Sequence, residues 1–350
     1  MKQIFLLSIV SSFFVCSCTT AQIKTKLESP SEKVNVFLGT SGDHGQMSPS
    51  ASSPFNMLSI GPQTYSHIHT GYEYYAERYE GFTHTHLEGV GCTGSGGNIL
   101  IKPTLNKDIH TTLLKSKQDA RPGYYEVSFK NGIHAAMSVN HNFGIEQYSY
   151  PNDSRENGLF LDLSFALSNR FISEEHTLES NIISGSIDTY TTCHGGVYRI
   201  YYALAFSDLS EFKKLSDHQY YISLSPNTKK ATVQIGFSSV SVEYAKNKLS
   251  TASLETVKKS SNTEWNSLLS HVQVKGEVDR EDLFYSLLYR GLQSPYKISE
   301  EDGTYAAING TTQQADFTVY NGWAIWDNYR EQLPMLSLLY PDEYTHISKS

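Results

Sequence analysis

The chain has 350 residues, 39% hydrophobic and 18% charged, enough for two domains with sizeable cores. A formal charge of −8 gives no electrostatic support to nucleic-acid binding, and no stretch after the leader is long and apolar enough for a transmembrane helix. The 24 tyrosines suit β-strands, and they can also stack on sugar faces while their hydroxyls stay wet.

Met1-Lys2-Gln3 leads into an apolar run at 4–15 that is too short to cross a bilayer and suits a secretory signal. Val15-Cys16-Ser17-Cys18 then resembles a bacterial lipobox, with Cys18 as the residue that would carry lipid. Its rival is cleavage after Ala21 and release. Residues 1–22 therefore read as a signal peptide of lipoprotein type. They imply a periplasmic or outer-membrane address, with membrane contact only through that anchor. Residues 23–32 read as a polar tether. Without the leader only Cys92 and Cys193 remain, so at most one disulfide forms and no disulfide framework exists.

Between 33 and 240 short alternating runs dominate, at 98–102, 124–129, 134–139, 144–150, 158–163, 197–206, 220–224 and 231–237. Turn signals such as Arg121-Pro122-Gly123, Lys130-Asn131-Gly132 and Ser225-Pro226-Asn227 separate them. Such a series argues for an antiparallel sandwich, and Lys130-Asn131-Gly132 is its sharpest hairpin signal.

Within this region Gly81-Phe82-Thr83-His84-Thr85-His86-Leu87-Glu88-Gly89-Val90-Gly91-Cys92 stands apart. In a regular strand His84 and His86 share one face, and the glycines let backbone approach whatever they face. Gly89-Val90-Gly91-Cys92-Thr93-Gly94 matches the dinucleotide fingerprint literally, but no hydrophobic strand leads in and no helix follows. A zinc half-site lacks a second ligand cluster at the right spacing. Two readings stay open on spacing alone: a hydrogen-bonding wall for a polyhydroxylated ligand, and a pair of buried, satisfied histidines.

After 240 the period changes. Leu254, Val257, Trp265, Leu268 and Leu269 mark a helix over 252–270, with Trp265 as a core anchor. Leu283, Phe284, Leu287 and Leu288 mark a second stripe, capped near Asp279 and stopped by Ser294-Pro295. Glu300-Glu301-Asp302-Gly303 lacks the ligand pattern of a calcium loop and reads as a solvated turn. A last helix begins near Trp323, with Trp326 and Arg330 on one face, Asp327 beside it and a stop or kink at Pro334.

Taken in order, residues 33–40, Gly71-Tyr72-Glu73-Tyr74, the histidine–glycine stretch, Arg121-Pro122-Gly123-Tyr124-Tyr125 and Ile325-Trp326-Asp327-Asn328-Tyr329-Arg330 resemble glycoside hydrolase family 92. That family comprises calcium-dependent, inverting exo-alpha-mannosidases. The resemblance implies a β-sandwich (a β-supersandwich) over 33–240, linker helices over 241–300 and the start of an (α/α)6 helical barrel over 301–350. It looks like an N-terminal fragment. The resemblance also implies that the catalytic acid and base, with most of the Ca2+ site, follow residue 350, so Glu73, Glu88 and Asp162 are not assigned those roles. What carries over is one wall of the pocket for a mannose-containing glycan. Trp326 and Asp327 would contact the sugar in the −1 subsite, and Arg330 would pin Asp327 or reach the ligand. His84 and His86 would face the barrel, and Cys92 would stand on the leaving-group side.

Three departures bear on specificity: Gly97-Asn98 where Gly-Asp is usual, Trp326-Asp327-Asn328 where Trp-Asp-Thr is usual, and Pro54-Phe55-Asn56-Met57 for Pro-Phe-Gly-Met. They leave a second functional class to weigh, a non-catalytic carbohydrate-binding surface lipoprotein.

Overall fold

The structure, a computed structural model, describes residues 29–42, 47–86, 94, 96–322 and 328–350. Cys18, Cys92, Trp326 and Asp327 lie outside the described residues.

Two antiparallel sheets enclose one core, as the alternating runs imply. One has seven strands, in the order Ala51–Ser52, Ser59–Gln63, Gly81–His86, Gly96–Thr104, Gly158–Asp162, Gln219–Leu224 and Leu209–Lys214. The other has nine, ordered Phe171–Glu179, Ile182–Tyr190, Val197–Phe206, Lys230–Ser238, Phe143–Ser149, His134–Asn140, Tyr124–Phe129, Leu113–Arg121 and Arg78–Tyr79. Period two sorts the side chains. Ile99, Ile101, Leu159 and Leu161 point inward from the smaller sheet and join Val127, Met137, Tyr148 and Ile235 of the larger one in a single cluster. The Asn131-Gly132 turn behaves as its sequence demands: Gly132 has φ +85°, and the flanking strands pair Tyr124 with Ser138.

Five helices follow among the described residues: α1 (Val242–Lys248), α2 (Leu254–Leu269), α3 (Val278–Gly291), α4 (Gln332–Leu339) and α5 (Pro341–Lys349). Ser253 caps α2 by accepting the Thr256 N–H, and Leu254, Val257, Trp265 and Leu269 are buried. Trp265 is fully buried, donates its indole N–H to the Ser52 carbonyl at 2.8 Å, and packs on Tyr289 with ring centres 4.4 Å apart. Expected from its stripe to anchor the core, it does.

Three helical-region expectations need correction. In α3 the buried face is Tyr285, Ser286, Leu288 and Tyr289, while Leu283 and Leu287 are 48% and 57% exposed. The tyrosines, larger than the leucines, win the inward positions because Tyr289 stacks on Trp265. The N-cap is Glu277, with Asp279 in the first turn, so the helix does begin near Asp279. Glu300 is not solvated: its carboxylate accepts the Ser238 hydroxyl at 2.6 Å and pairs with Lys248 at 2.9 Å, tying α1 to that turn. Pro334 stops nothing. It sits in the first turn of α4, where its missing N–H would have had no partner, and the chain breaks at Tyr340 before Pro341 instead.

Candidate functional site

The Gly81–His86 strand lies between Ser59–Gln63 and Gly96–Thr104, pairing His84 with Ile60 on one side and Asn98 on the other. It does not stay regular. Thr85 has φ +59°, its partner strand carries Ile99 at φ +57°, and the register slips between Phe82 and His84. A β-branched residue rarely adopts a left-handed backbone, so something must hold Thr85 there. Its hydroxyl reaches the Asn98 side-chain oxygen at 2.6 Å, and the same oxygen accepts the Tyr198 hydroxyl at 3.0 Å. Asn98 is fully buried. The position where the family usually carries aspartate is therefore the hub that fixes this irregularity.

The kink at Thr85 sends the histidines to different partners, so the shared face expected from strand alternation is not formed. His84 points across to the larger sheet. Its Nδ1 donates to the carbonyls of Ile99 (2.9 Å) and Asn98 (3.2 Å), and its Nε2 lies 3.3 Å from Glu146, with both side chains fully buried. Two carbonyl partners require the Nδ1–H tautomer, and Nε2 faces the Glu146 carboxyl group without a hydrogen bond. Tyr148 donates to the other Glu146 oxygen at 2.9 Å, and Phe237 packs beside the imidazole with ring centres 5.8 Å apart.

His86 folds back instead. Its Nδ1 is 3.0 Å from the Thr70 carbonyl, its Nε2 is 3.1 Å from the Thr83 carbonyl and 3.2 Å from the Thr83 hydroxyl, and Ser59 accepts its backbone N–H at 2.7 Å. His86 thus faces protein groups at both ring nitrogens, whereas His84 Nε2 is buried 3.3 Å from the Glu146 carboxyl group without a hydrogen bond. Of the two readings left open by spacing, the buried pair describes both rings, and their contacts among the described residues are to protein groups.

Burial pushes the His86 imidazole down to about 4, against the hydrogen bonds to Thr83 and Thr70 that favour its charged form. Its folded value lies below the ordinary value of 6.5, so the stability it contributes is present above 6.5 and is lost as pH falls toward 4. The full loss is about 3 kcal/mol. Urea midpoints of the wild type should therefore fall more steeply across that window than those of His86→Gln. Parallel profiles would contradict a buried neutral His86.

Glycine is required after the strand for protein, not ligand, contacts. A Cβ on Gly94 would stand 1.5 Å from the His69 carbonyl oxygen, and one on Gly96, at φ +83°, 1.8 Å from that of Thr85. The ends of this loop are held from the neighbouring sheet. Buried Arg170 donates to the carbonyls of Gly94 (3.0 Å) and Thr191 (2.6 Å), and Tyr198 accepts the Gly96 N–H at 3.0 Å. Cys193, in the adjoining turn, is disulfide-bonded, its partner lying outside the described residues.

Sequence reasoning missed Glu146, Arg170 and Tyr198. Glu146 has a signal in hindsight, since it shares strand parity with core residue Tyr148. Arg170 had none, since it lies between Asn169 and Phe171 in no recognisable motif. At the other candidate wall, Arg330 is exposed and donates its Nε–H to the Tyr329 hydroxyl at 2.8 Å. Asp162, held back from catalysis, is occupied structurally: it accepts from Ser164 and Gln219. Among the described residues no group of three or more His, Cys, Asp or Glu converges to hold a metal. The calcium implied by the resemblance therefore finds no ligand set in them, and no step is derived through it.

Two large β-sheets lead into helices, and comparison with known proteins puts this architecture among the glycoside hydrolases. Residues 33–251 match the glycosyl hydrolase family 92 N-terminal domain, and residues 242–350 match the glycosyl hydrolase family 92 catalytic domain. The chain belongs to glycosyl hydrolase family 92.

The GH92 family glycosyl hydrolase ccman5 superposes with a TM-score of 0.83 at 25% identity, over 92% of this chain and 48% of that one. The GH92 alpha-mannosidase BT3965 from Bacteroides thetaiotaomicron gives 0.81 at 23% identity over 92% and 49%, and is also known in complex with mannoimidazole. An uncharacterized secreted glycosidase of Arthroderma benhamiae is 26% identical over 222 residues, 58% of this chain and 28% of that protein. The chain thus spans about half the length of these solved relatives and less of the curated one.

Proposed function

We propose that the chain is the N-terminal part of an inverting exo-alpha-mannosidase that removes terminal alpha-mannose from N-glycans or mannans. The observation that carries this reading is the match, in order, to both domains of family 92 over 33–350. An inverting pair of carboxyl groups stands about 6.5–9.5 Å apart, leaving room for the attacking water. In this reading the acid and base come from the part of the family fold that follows residue 350, together with most ligands of the calcium ion. A bound calcium would supply a hard cation for sugar hydroxyls.

The roles of this chain's own residues are binding and orientation. The Trp326 indole limits the face the sugar can present, the Asp327 carboxylate accepts its hydroxyls, and Arg330 steadies Asp327 or reaches the ligand. Cys92 stands toward the leaving group. Behind them, the His84–Glu146 pair, Asn98 and Arg170 set where the glycine loop leaves its strand. The leader directs export, and Cys18 accepts lipid.

Aryl alpha-mannosides test this. The 350-residue chain alone should give no turnover. The chain extended through a complete family 92 catalytic domain should release the inverted, beta-anomeric mannose, and chelation of calcium should abolish release. Turnover by the 350 residues alone, or a retained alpha-anomer, would contradict it.

A further inference from the structure

The smaller sheet carries a hollow that the catalytic reading does not use. Lys102 and Phe160 face each other directly across two paired strands, and Leu100 lies two residues before Lys102 on the same face. That face is turned away from the core, which takes Ile99, Ile101, Leu159 and Leu161. With Tyr65, Arg78 and Glu80 these residues line a hollow of about 340 Å³, at the small end of ligand-binding cavities, which run from about 300 to 1,000 Å³. Glu80 immediately precedes the Gly81–His86 strand, so the hollow opens at the end of that strand opposite the glycine loop.

Its chemistry is specific. One oxygen of Glu80, Oε2, is buried and has no hydrogen-bond partner among the described residues. Burial pushes the Glu80 carboxyl above its ordinary range, against the pull of Gln63, His67, Arg78 and Lys102. Burial likewise lowers Lys102, whose ammonium donates to the Ile109 carbonyl at 3.0 Å. The floor is apolar, from Leu100 and Phe160. At the rim Tyr65 is 42% exposed, its ring centre 5.8 Å from that of His67.

We infer that this hollow is a binding site for one neutral pyranose unit. The buried acceptor calls for a ligand that brings O–H donors, because an unpaired buried oxygen costs about 1–3 kcal/mol. Arg78 and Lys102 can donate to further hydroxyls of the same ring. The apolar floor takes the C–H face of the sugar, and Tyr65 offers an aromatic edge to it. An anionic ligand, though drawn by Arg78 and Lys102, would bring acceptors rather than donors to Glu80 Oε2. A purely apolar one would leave Oε2 without a partner. A cation would find one carboxyl group between two positive side chains. The inference rests on the hollow alone and stands whether or not the mannosidase reading does.

Calorimetric titration with methyl alpha-D-mannopyranoside, and with mannose 6-phosphate as the charged comparison, tests it. The protein should bind the neutral sugar saturably. Tyr65→Ala and Glu80→Leu should each weaken binding about tenfold or more, the scale of one hydrogen bond to a charged group, with unchanged urea midpoints. Tyr65→Ala alters an exposed ring, so it carries the test if Glu80→Leu does not fold. Sugar held by the Trp326–Arg330 segment would persist in both variants, which separates this outcome from failure of the functional reading. Absence of saturable binding, affinity unchanged in the variants, or tighter binding of the phosphate would overturn the proposal.

Discussion

Glu146→Ala should lower the unfolding free energy by about 1–3 kcal/mol, the cost of leaving buried polar groups without their partner. Both His84 and Glu146 are fully buried, 3.3 Å apart, in the middle of the sandwich. Two backbone carbonyls already hold His84 Nδ1, so the ring cannot turn to find another partner for Nε2. Without Glu146, Nε2 faces the Phe237 ring, and the Tyr148 hydroxyl loses its acceptor. Removing both polar groups tells a different story. His84→Leu with Glu146→Leu leaves no orphaned imidazole, and it should recover part of the loss if the packing accommodates the leucines. Urea unfolding of the three proteins makes the comparison. A cost below about 1 kcal/mol for Glu146→Ala would mean that the two buried groups do not depend on each other.

The parts of the fold that could be read from sequence are those whose side chains obey a local rule. The 124–129 and 197–206 strands fall where alternation puts them, and Asn131-Gly132 turns because glycine alone takes φ +85° without cost. Leu113–Arg121, Phe171–Glu179 and Leu209–Lys214 escaped notice because most of their side chains are exposed or half-buried, so nothing selects an apolar alternation. The family could be recognised because its motifs are spread along the chain in a fixed order.

The histidine strand misled for a physical reason. Alternation assumes extended backbone, and the left-handed Thr85 depends on Asn98, thirteen residues away in sequence and opposite His84 in space. No local pattern encodes such a partner. The same holds for α3, whose buried face is chosen by the Trp265 ring of another helix rather than by its own leucines. Glu300 completes the set: an acidic run reads as solvated until Lys248 and Ser238 are known to close over it.

If this chain supplies the sugar-binding wall proposed above, Asp327 is the residue on which that wall depends most. A carboxylate that accepts hydroxyls of the bound sugar loses about 1.5–3 kcal/mol of interaction on truncation, or roughly 10–150-fold in rate. A carboxylate serving only as a helix-start ion pair contributes about 0–1 kcal/mol to stability and nothing to turnover. The deciding measurement is therefore kcat/KM on an aryl alpha-mannoside beside Tm, for the complete enzyme and its Asp327→Ala variant. A fall of about tenfold or more at nearly unchanged Tm is the predicted result. Undiminished turnover by Asp327→Ala would remove the residue from the pocket, and the proposed wall with it.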